Sequence, residues 1–371
     1  MTRYLLGDLV RNCKEKVDRD NNPYEYFVAG DHMETERPRL TMRGRFDEAD
    51  VGPAFIRLFR PGQVLYGSRR TYLKKVSVAD FEGVTSNVTF VLETKDEEVL
   101  PQRLLPFLLL SDRFTSYSIG KSKGSTNPYV LFSDLADFEV DLPGPVRVAE
   151  IADVMCAAEQ VKENYRSLLA ACDDVVKSQF VEMFGEPAEN PKGWETSSLT
   201  SLGSCKNGMN FKSKESGIEL PCLGVGDFKD RSVINDVSEM GRINLDDEPA
   251  EGYFLKDGDI VFVRSNGNKE LVGRCLAVYP HGEKAVFSGF CIRLRVESDK
   301  VRIPYLIWAL KQPSMRQQMF GRGANVQNLN QKLMAKVDVP IPPLAEQDRF
   351  LALVSIVDKS KFKLGICGGM L

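Results

Sequence analysis

Three short segments have the residue types of known catalytic or binding motifs, and each lacks a part that the chemistry requires. Gly120-Lys121-Ser122 resembles the end of a loop that cradles nucleotide phosphates, but Thr115 stands where the first glycine of that loop must be. Asn22-Pro23-Tyr24 and Asn127-Pro128-Tyr129 resemble the tetrad with which methyltransferases hold an amino group. Each has a single proline, and no glycine-rich cofactor loop accompanies them, so an X-Pro turn is the better interpretation.

The residues that usually act as nucleophiles, bases and metal ligands are few or scattered. The chain has two histidines, His32 and His281, and neither belongs to a recognisable catalytic arrangement. Its eight cysteines include no Cys-x-x-Cys pair, which argues against a zinc site and against a disulfide framework. We therefore expect a chain that is not an enzyme, has no catalytic or metal residues, and keeps its cysteines reduced and mostly buried.

Composition favours a protein of two domains in a cytoplasmic location. The 371 residues can build two cores, and no apolar run is long enough to cross a bilayer. The formal net charge is −3, but residues 146–190 hold four basic and nine acidic residues, whereas residues 191–342 hold 21 basic and 18 acidic ones. This balance excludes a protein that coats nucleic acid through bulk charge and allows local basic patches.

A long helix is predicted over 146–184 and organises the rest of the chain. Its apolar residues form two rows with seven-residue spacing, which is the a/d seam of a coiled coil. The rows are Ile151, Ala158, Tyr165 and Cys172, and Val154, Val161, Leu168 and Val175. Gly185 and Pro187 end the helix, which at 1.5 Å per residue would be about 55 Å long and would act as a spacer.

The sequences on either side of this helix repeat the same order of elements. Phe55–Phe59 and Gln63–Tyr66 flank a turn at Pro61-Gly62, as Tyr253–Leu255 and Asp259–Val263 flank a turn at Asp257-Gly258. The later elements follow in the same order in both halves: a β-rich run at Val84–Leu92 or Val286–Leu294, an apolar helix at Leu100–Ser111 or Pro304–Lys311, and a closing strand at Asp137–Leu142 or Lys336–Val339. The chain is therefore predicted to be an internal two-fold repeat.

A second helix is predicted to begin at Leu344 and to be about half as long as the first. Phe350, Leu353 and Val357 continue the pairing pattern, but the tail from Gly365 contains three glycines and is not expected to extend a helix. The second helix is expected to cover only half of the seam. The remainder, around Leu168, Cys172, Val175, Phe180 and Met183, must then meet a different partner.

Four segments of the second half carry a specific resemblance, and the first half has weaker versions of them. They are residues 255–274, 285–296, 303–319 and above all 321–350 (GRGANVQNLNQKLMAKVDVPIPPLAEQDRF), while residues 59–76 and 120–145 are the weaker ones. With these segments the chain resembles the specificity (S) subunit of type I restriction–modification systems. The resemblance covers the chain up to about Lys363.

This resemblance implies an α+β fold in which two β-rich target-recognition domains are separated by long helices that form an antiparallel coiled coil. The domains would span residues 1–145 and 187–342, with a central spacer helix at 146–186 and a shortened distal helix and tail at 343–371. Each domain would recognise one half of a bipartite site in double-stranded DNA. The helices would dock methyltransferase (M) subunits, with restriction (R) subunits bound through them or beside them. S-adenosylmethionine, ATP and Mg would belong to those partners.

If the resemblance holds, polar loops recognise the DNA, since Arg pairs with guanine and Asn or Gln with adenine, while other residues contact phosphate. The candidates of the first domain are Arg69, Arg70, Lys74, Lys75, Lys121, Lys123 and Asn127. Those of the second are Arg264, Asn266, Asn268, Lys269, Arg322, Asn325, Gln327, Asn328 and Asn330. Polar loops also occur for conformational reasons alone, so for any single residue a solvated turn is an equal alternative.

Four alternatives stay open from sequence. The chain could be a scaffold or decoy that assembles partners without recognising sequence, or the specificity module of a related fused methyltransferase–nuclease system. An enzyme with its own methyltransferase or nuclease activity is disfavoured by the missing motifs. The uncovered half of the central helix could also bind a second copy of this chain instead of a methyltransferase subunit.

Overall fold

The computed structural model describes residues 1–211, 217–228, 231–319 and 328–369; for Lys269 and residues 363–369 it describes the backbone alone. The chain divides into two compact units, unit 1 and unit 2, with the boundary between Asn164 and Tyr165. This boundary falls inside the long helix. The domain boundaries expected from sequence, which treat that helix as a separate segment, stay a prediction.

Unit 1 combines short strands with a helical segment that follows them. Its strands are β1 (Thr2–Leu5), β2 (Val10–Cys13), β3 (Tyr26–Val28), β4 (Gly44–Arg45), β5 (Phe55–Phe59), β6 (Val64–Gly67), β7 (Val76–Val78), β8 (Gly83–Ser86), β9 (Thr89–Thr94) and β10 (Glu139–Leu142). Its helices are α1 (Leu6–Leu9), α2 (Leu105–Leu110), α3 (Asp112–Gly120) and α4 (Phe132–Ala136), followed by α5 (Pro145–Phe184), which continues into unit 2.

Unit 2 has a similar order of elements along the chain, with strands followed by helices. Its strands are β11 (Thr196–Ser198), β12 (Gly203–Asn207), β13 (Ile218–Leu223), β14 (Val233–Ile234), β15 (Gly241–Leu245), β16 (Asp259–Val263), β17 (Cys275–Val278), β18 (Val286–Phe287), β19 (Cys291–Val296) and β20 (Asp338–Pro340). Its helices are α6 (Ile303–Lys311), α7 (Pro313–Met319), α8 (Gln331–Met334) and α9 (Leu344–Gly369).

The two units share the same order of core strands, which confirms the internal repeat, while β5 in unit 1 and β14 in unit 2 are additions to it. The main sheet has the order β2-β9-β6-β7 in unit 1 and β12-β19-β16-β17-β14 in unit 2. A second sheet contains a parallel pair in each unit, β3 with β8 and β13 with β18, and a two-stranded antiparallel ribbon joins β1 to β10 and β11 to β20. Apolar residues of the central strands β6 and β16 are buried, so each unit has its own core.

The turn before each central strand shows the repeat at the level of single hydrogen bonds. Gly62 and Gly258 have φ of 85° and 84°, a backbone region that favours glycine. The Gly62 amide donates to Ala79 and the Gly258 amide to Val278, over 2.8 and 2.9 Å. These turns fix where β6 and β16 begin, and therefore where their carboxyl ends place the loops that follow.

Two details of the predicted strands are wrong. The runs Val84–Leu92 and Val286–Leu294 each form two strands that lie in different sheets, because a turn interrupts each run. Tyr253–Leu255 does not form a strand; residues 251–253 form a single helical turn there. In the two runs the β-forming residues were correctly identified, but sequence patterning alone does not specify which sheet a short strand joins.

The long helix and the second helix pack as an antiparallel pair, as expected. Phe350 on α9 lies 5.3 Å from Phe180 and 5.5 Å from Phe184 between ring centroids. Further along α9, Lys361 forms an ion pair with Asp173, which precedes Phe180 on α5. The two helices therefore run in opposite directions. The part of α5 in unit 2 is held by these aromatic contacts, in which each ring loses most of its contact with water.

The face of α5 that packs against α9 differs from the predicted seam. Val176, Phe180 and Phe184 are buried, so the expectation that Phe180 is exposed is wrong. Five residues of the seam are exposed instead, and we call them the exposed stripe: Ile151, Val154, Val161, Leu168 and Val175. The physical reason is that Phe180 and Phe184, which are spaced i, i+4, bury more apolar area than the smaller aliphatic side chains of the seam would.

The second helix is longer than predicted, with 26 residues against 40 in α5. It continues through Gly365 to Gly369, so the expectation that the tail ends the helix was wrong. An interior glycine costs about 1 kcal/mol relative to alanine, but a helix that is already formed gains a hydrogen bond with each added residue. Glycine therefore weakens this last part without ending it.

Within the described part of the chain, we find no helix with the length and apolarity required to span a membrane.

Candidate recognition surface

In unit 1, three loops that the sequence separates meet beside the carboxyl end of β6. The Ser68 amide donates to the Val88 carbonyl over 3.3 Å, and the Val130 amide donates to the Ser68 carbonyl over 2.9 Å. The Arg70 amide donates to the Pro128 carbonyl over 2.7 Å. The structure therefore brings the Arg69–Arg70 loop and the Lys121–Asn127 loop together, although about 50 residues separate them in the sequence.

Unit 2 builds the same arrangement beside the carboxyl end of β16. The Arg264 amide donates to the Phe290 carbonyl over 2.8 Å, and the Leu329 amide donates to the Arg264 carbonyl over 2.8 Å. Ser265 also pairs with Asn328 in an antiparallel bridge. We refer to the three loops in each unit as its loop cluster.

The lysines and arginines of the unit 1 cluster fall into two groups. Lys74 forms ion pairs with Glu36 and Asp112, and hydrogen bonds to these carboxylates raise its pKa. Lys123 pairs with Asp134, whose pKa is lowered mainly by that hydrogen bond. Arg69 and Arg70 are exposed and have no carboxylate partner among the described residues. Their charges remain open to a ligand.

Of the other three candidates of unit 1, Lys75 is partly engaged by its neighbours, and Lys121 and Asn127 are exposed. Lys75 donates to the Gly30 carbonyl and lies 3.9 Å from Asp31, which engages its charge in part. Lys121 is exposed, with its ammonium 5.4 Å from the centre of the Tyr117 ring. Asn127 is exposed beside Pro128. Lys121 and Asn127 are therefore as accessible as the arginines.

Three asparagines of unit 2 use their side-chain oxygens locally. Asn266 accepts from the Asn268 amide over 2.8 Å, and Asn268 accepts from the Glu270 amide over 3.0 Å. Asn330 caps α8 by accepting from the Leu333 amide over 3.0 Å. Because paired recognition of adenine needs the amide oxygen and the amide nitrogen together, these three are less suited to it than the exposed Asn328.

Arg264 is half-buried and partly engaged. One of its terminal nitrogens donates to the Gly289 carbonyl over 3.1 Å, while its Nε is buried without a hydrogen-bond partner among the described residues. A guanidinium fixed on one side in this way can still present its other edge. Lys269 has only its backbone described, and Arg322, Asn325 and Gln327 lie outside the described residues.

Sequence reasoning assigned no DNA contact to Phe290 or Tyr129, and it included Tyr72 only as part of a candidate stretch. Phe290 is 62% exposed in unit 2, and Tyr72 and Tyr129 are 53% and 40% exposed in unit 1. An isolated exposed aromatic residue has no periodic pattern. The available signal was its position: Tyr129 follows an X-Pro turn, and Phe290 follows Ser288-Gly289 between two β-rich segments.

The buried thiols are not candidates for nucleophiles. Burial raises the pKa of Cys222 and of Cys275 to about 12, so both stay protonated at neutral pH. Among the residues that the structure describes, no three His, Cys, Asp or Glu side chains come close enough together to bind a metal ion.

Comparisons with known proteins agree with this architecture. Residues 191–365 match the family model described as the type I restriction modification DNA specificity domain. The chain is 29% identical over 160 residues to the type I restriction enzyme StySPI specificity subunit of Salmonella potsdam, an alignment that covers 42% of this chain and 34% of that protein. It is 27% identical over 179 residues to the putative type I restriction enzyme MjaX specificity subunit of Methanocaldococcus jannaschii, which covers 47% and 41%.

Two solved structures share the fold over the whole chain. A chain from a structure of complex assembly in the type I R-M system has a TM-score of 0.56 and 18% identity, and covers 100% of this chain and 94% of its own. The type I restriction–modification system S subunit from M. genitalium has a TM-score of 0.53 and 16% identity, with 100% and 92% covered. These two structures show that the fold is shared, and the family model matches residues 191–365 of the 371. The chain covers less than half of the length of the two relatives it matches in sequence.

Proposed function

We propose that this chain is the non-catalytic, cytoplasmic DNA-recognition subunit of a type I restriction–modification complex, in which each unit recognises one half of a bipartite site. The single observation that carries the proposal is the repeated loop cluster. Two copies of one scaffold place hydrogen-bonding loops at the same structural position, as a protein with two half-sites requires. The residues of the clusters differ between the copies, so the two half-sites differ in sequence.

The proposed contacts with DNA fall into groups according to the chemistry of the side chain. Arg69, Arg70 and Lys121 are exposed cations suited to phosphate or guanine, whereas Asn127 and Asn328 have both amide atoms available for adenine. Lys74, Lys75, Lys123, Asn266, Asn268 and Asn330 are the candidates with local roles, and in the proposal they shape the loops. The remaining candidates of unit 2 are Arg264, Lys269, Arg322, Asn325 and Gln327.

The helices are proposed to dock the methyltransferase subunits, with the restriction subunits bound beside them. The exposed stripe supports this part, since Val154 is 67% and Val175 is 52% exposed and such a row of apolar residues favours a partner surface. Phe350, Leu353 and Val357 contribute to the pairing of α9 with α5. Ala158, Tyr165 and Cys172 are half-buried and border the stripe. S-adenosylmethionine, ATP and Mg are proposed to act on the partner subunits.

Selection of bound sequences from a random DNA pool, with the chain assembled with its methyltransferase subunits, tests this function. The expected result is a two-part motif with a fixed gap. A complex that forms but enriches no sequence would support the alternative of a scaffold or decoy. Methylation of DNA by the purified chain alone, with labelled S-adenosylmethionine, would support an enzyme or a fused system instead.

A further inference from the structure

Phe290 is the last of the three residues, Ser288–Phe290, that connect β18 to β19 in the loop cluster of unit 2. Its side chain is 62% exposed, while Phe287 and Cys291 on either side of the turn are fully buried. Water contact of a phenyl ring is unfavourable by about 25 cal/mol for each Å² that remains exposed. A connection between two buried strands that carries an exposed phenyl ring therefore needs an explanation for the ring.

The turn that carries Phe290 is held from both sides. The Phe290 carbonyl accepts from the Arg264 and Ser265 amides over 2.8 and 3.2 Å, and its own amide donates to Ser288 Oγ over 3.3 Å. The Gly289 amide donates to the Met209 carbonyl over 2.7 Å. The ring is thus presented by a backbone with little freedom, and ordering it on binding costs little entropy.

The neighbours of Phe290 are polar groups of the loop cluster. Arg264 donates to the carbonyl of Gly289, immediately before Phe290, and Ser265 pairs with Asn328. The backbone that presents the ring is thus bonded to a loop that contains Arg264 and that pairs with Asn328. An exposed apolar ring within a cluster of polar loops matches the chemistry of a DNA base step, which has apolar faces and polar edges. An apolar protein groove would instead be expected to face further exposed apolar residues.

The same position in unit 1 is occupied by Val88. Its amide donates to Ser86 Oγ over 3.4 Å and its carbonyl accepts from the Ser68 amide over 3.3 Å, as the amide and carbonyl of Phe290 do in unit 2. Val88 is half-buried and has no flat face. The scaffold therefore does not require an aromatic residue at this position.

We propose that Phe290 is a DNA wedge: its ring stacks against the bases of one step in the half-site of unit 2, and opens that step. This inference rests on the proposed function and specifies how unit 2 contacts its half-site. It predicts that unit 2 bends or unstacks DNA locally, whereas unit 1, with Val88, does not.

The test uses the full chain assembled with its methyltransferase subunits and a duplex that carries the selected motif. 2-Aminopurine, an adenine analogue that becomes brighter when it unstacks, is placed in turn at each position of both half-sites. We expect the wild-type complex to brighten the probe at one step in the half-site of unit 2. Phe290→Ala should abolish this signal and weaken binding about tenfold.

Two variants keep the test specific. Phe290→Tyr retains a flat ring and should retain the signal, and Val88→Ala changes the matched residue of unit 1 and should change neither signal nor affinity. If the wild-type complex selects a motif but Phe290→Ala binds as tightly and with the same probe signal, the wedge is refuted and the proposed function stands. If Phe290→Ala fails to assemble with the methyltransferase subunits, the ring belongs to a protein interface and the wedge is again refuted. If the wild-type complex selects no motif, the proposed function fails and the wedge fails with it.

Discussion

The two loop clusters show how one scaffold is adapted to two different surfaces. Ser68 and Arg264 occupy the same position, as do Val88 and Phe290, because the same backbone hydrogen bonds hold each pair. The unit 1 cluster presents exposed cations and two tyrosine rings, and the unit 2 cluster presents an arginine, amides and a phenyl ring at the position of Val88. This comparison of the two loop clusters indicates that the backbone fixes where the loops lie, while a few side chains at their tips determine what each unit can contact.

The same comparison extends below the surface, to the turn at the start of the central strand. In unit 1, Gln63 accepts from the Arg60 amide and donates to Glu93 over 2.8 and 3.1 Å. In unit 2, the equivalent Asp259 accepts from the Lys256 amide over 2.8 Å and binds Arg295 through both carboxylate oxygens, over 2.8 and 2.7 Å. The residue at this position is thus a neutral amide bonded to a carboxylate in unit 1 and a carboxylate bonded to a guanidinium in unit 2, where Asp259 is fully buried.

The largest expected effect comes from breaking this ion pair. Asp259→Ala removes the carboxylate and leaves the guanidinium of Arg295 without its partner, which should destabilise unit 2 by about 3 kcal/mol, since removal of one partner from a buried pair costs about that much. Gln63→Ala should cost unit 1 only about 1 kcal/mol. Hydrogen exchange of β16 and β6 in the full chain measures the two units separately.

The matched control for that experiment is Asp259→Asn, which keeps the hydrogen bond to Lys256 and should cost less than alanine. Equal losses of protection in the two units after the two alanine substitutions would contradict the claim that Asp259 belongs to a buried ion pair whereas Gln63 contributes only hydrogen bonds.

A second effect concerns the exposed stripe, in which Leu168 is 46% exposed. Leu168→Glu should weaken capture of the methyltransferase subunit by about tenfold or more, because a charge would be buried against an apolar surface. Co-purification of the assembled complex measures this. Ser167→Glu adds the same charge at the adjacent exposed position outside the stripe, and unchanged capture is expected from it. Normal capture by Leu168→Glu would show that the stripe is not the docking surface.

A smaller effect separates the two turn glycines. Gly62→Ala places a Cβ in open space and should cost about 1 kcal/mol for the left-handed backbone alone. Gly258→Ala should cost more, since its Cβ would lie 2.5 Å from the Ile303 side chain. Thermal unfolding of the two variants measures the difference, and a Gly62→Ala variant that is the less stable of the two would show that the turns are not equivalent.

The sequence predicted the repeat and the long helix, because these depend on apolar periodicity and on glycine and proline positions, whereas the antiparallel pair was implied by the family resemblance. It did not predict that Phe180 packs against Phe350, since a heptad pattern marks an apolar row but not which row finds a partner within the chain. The meeting of Ser68, Val88 and Val130 depends on strand pairing across the sheet. Local patterns contain no information about that pairing. For the same reason Phe290 was overlooked, and Asn330 was grouped with base-contacting residues although it caps a helix.

The claim that each unit recognises its own half-site is tested most directly by motif selection with matched variants of the two clusters. Arg264→Ala, in the assembled complex, should relax the selected sequence in one half of the motif, by about 1–3 kcal/mol of discrimination if this arginine contacts guanine. The double variant Arg69→Ala with Arg70→Ala should relax the other half or weaken binding to all sequences, and should leave the first half unchanged. If either variant alters both halves equally, or if both act on the same half, the account of two independent recognition units is contradicted.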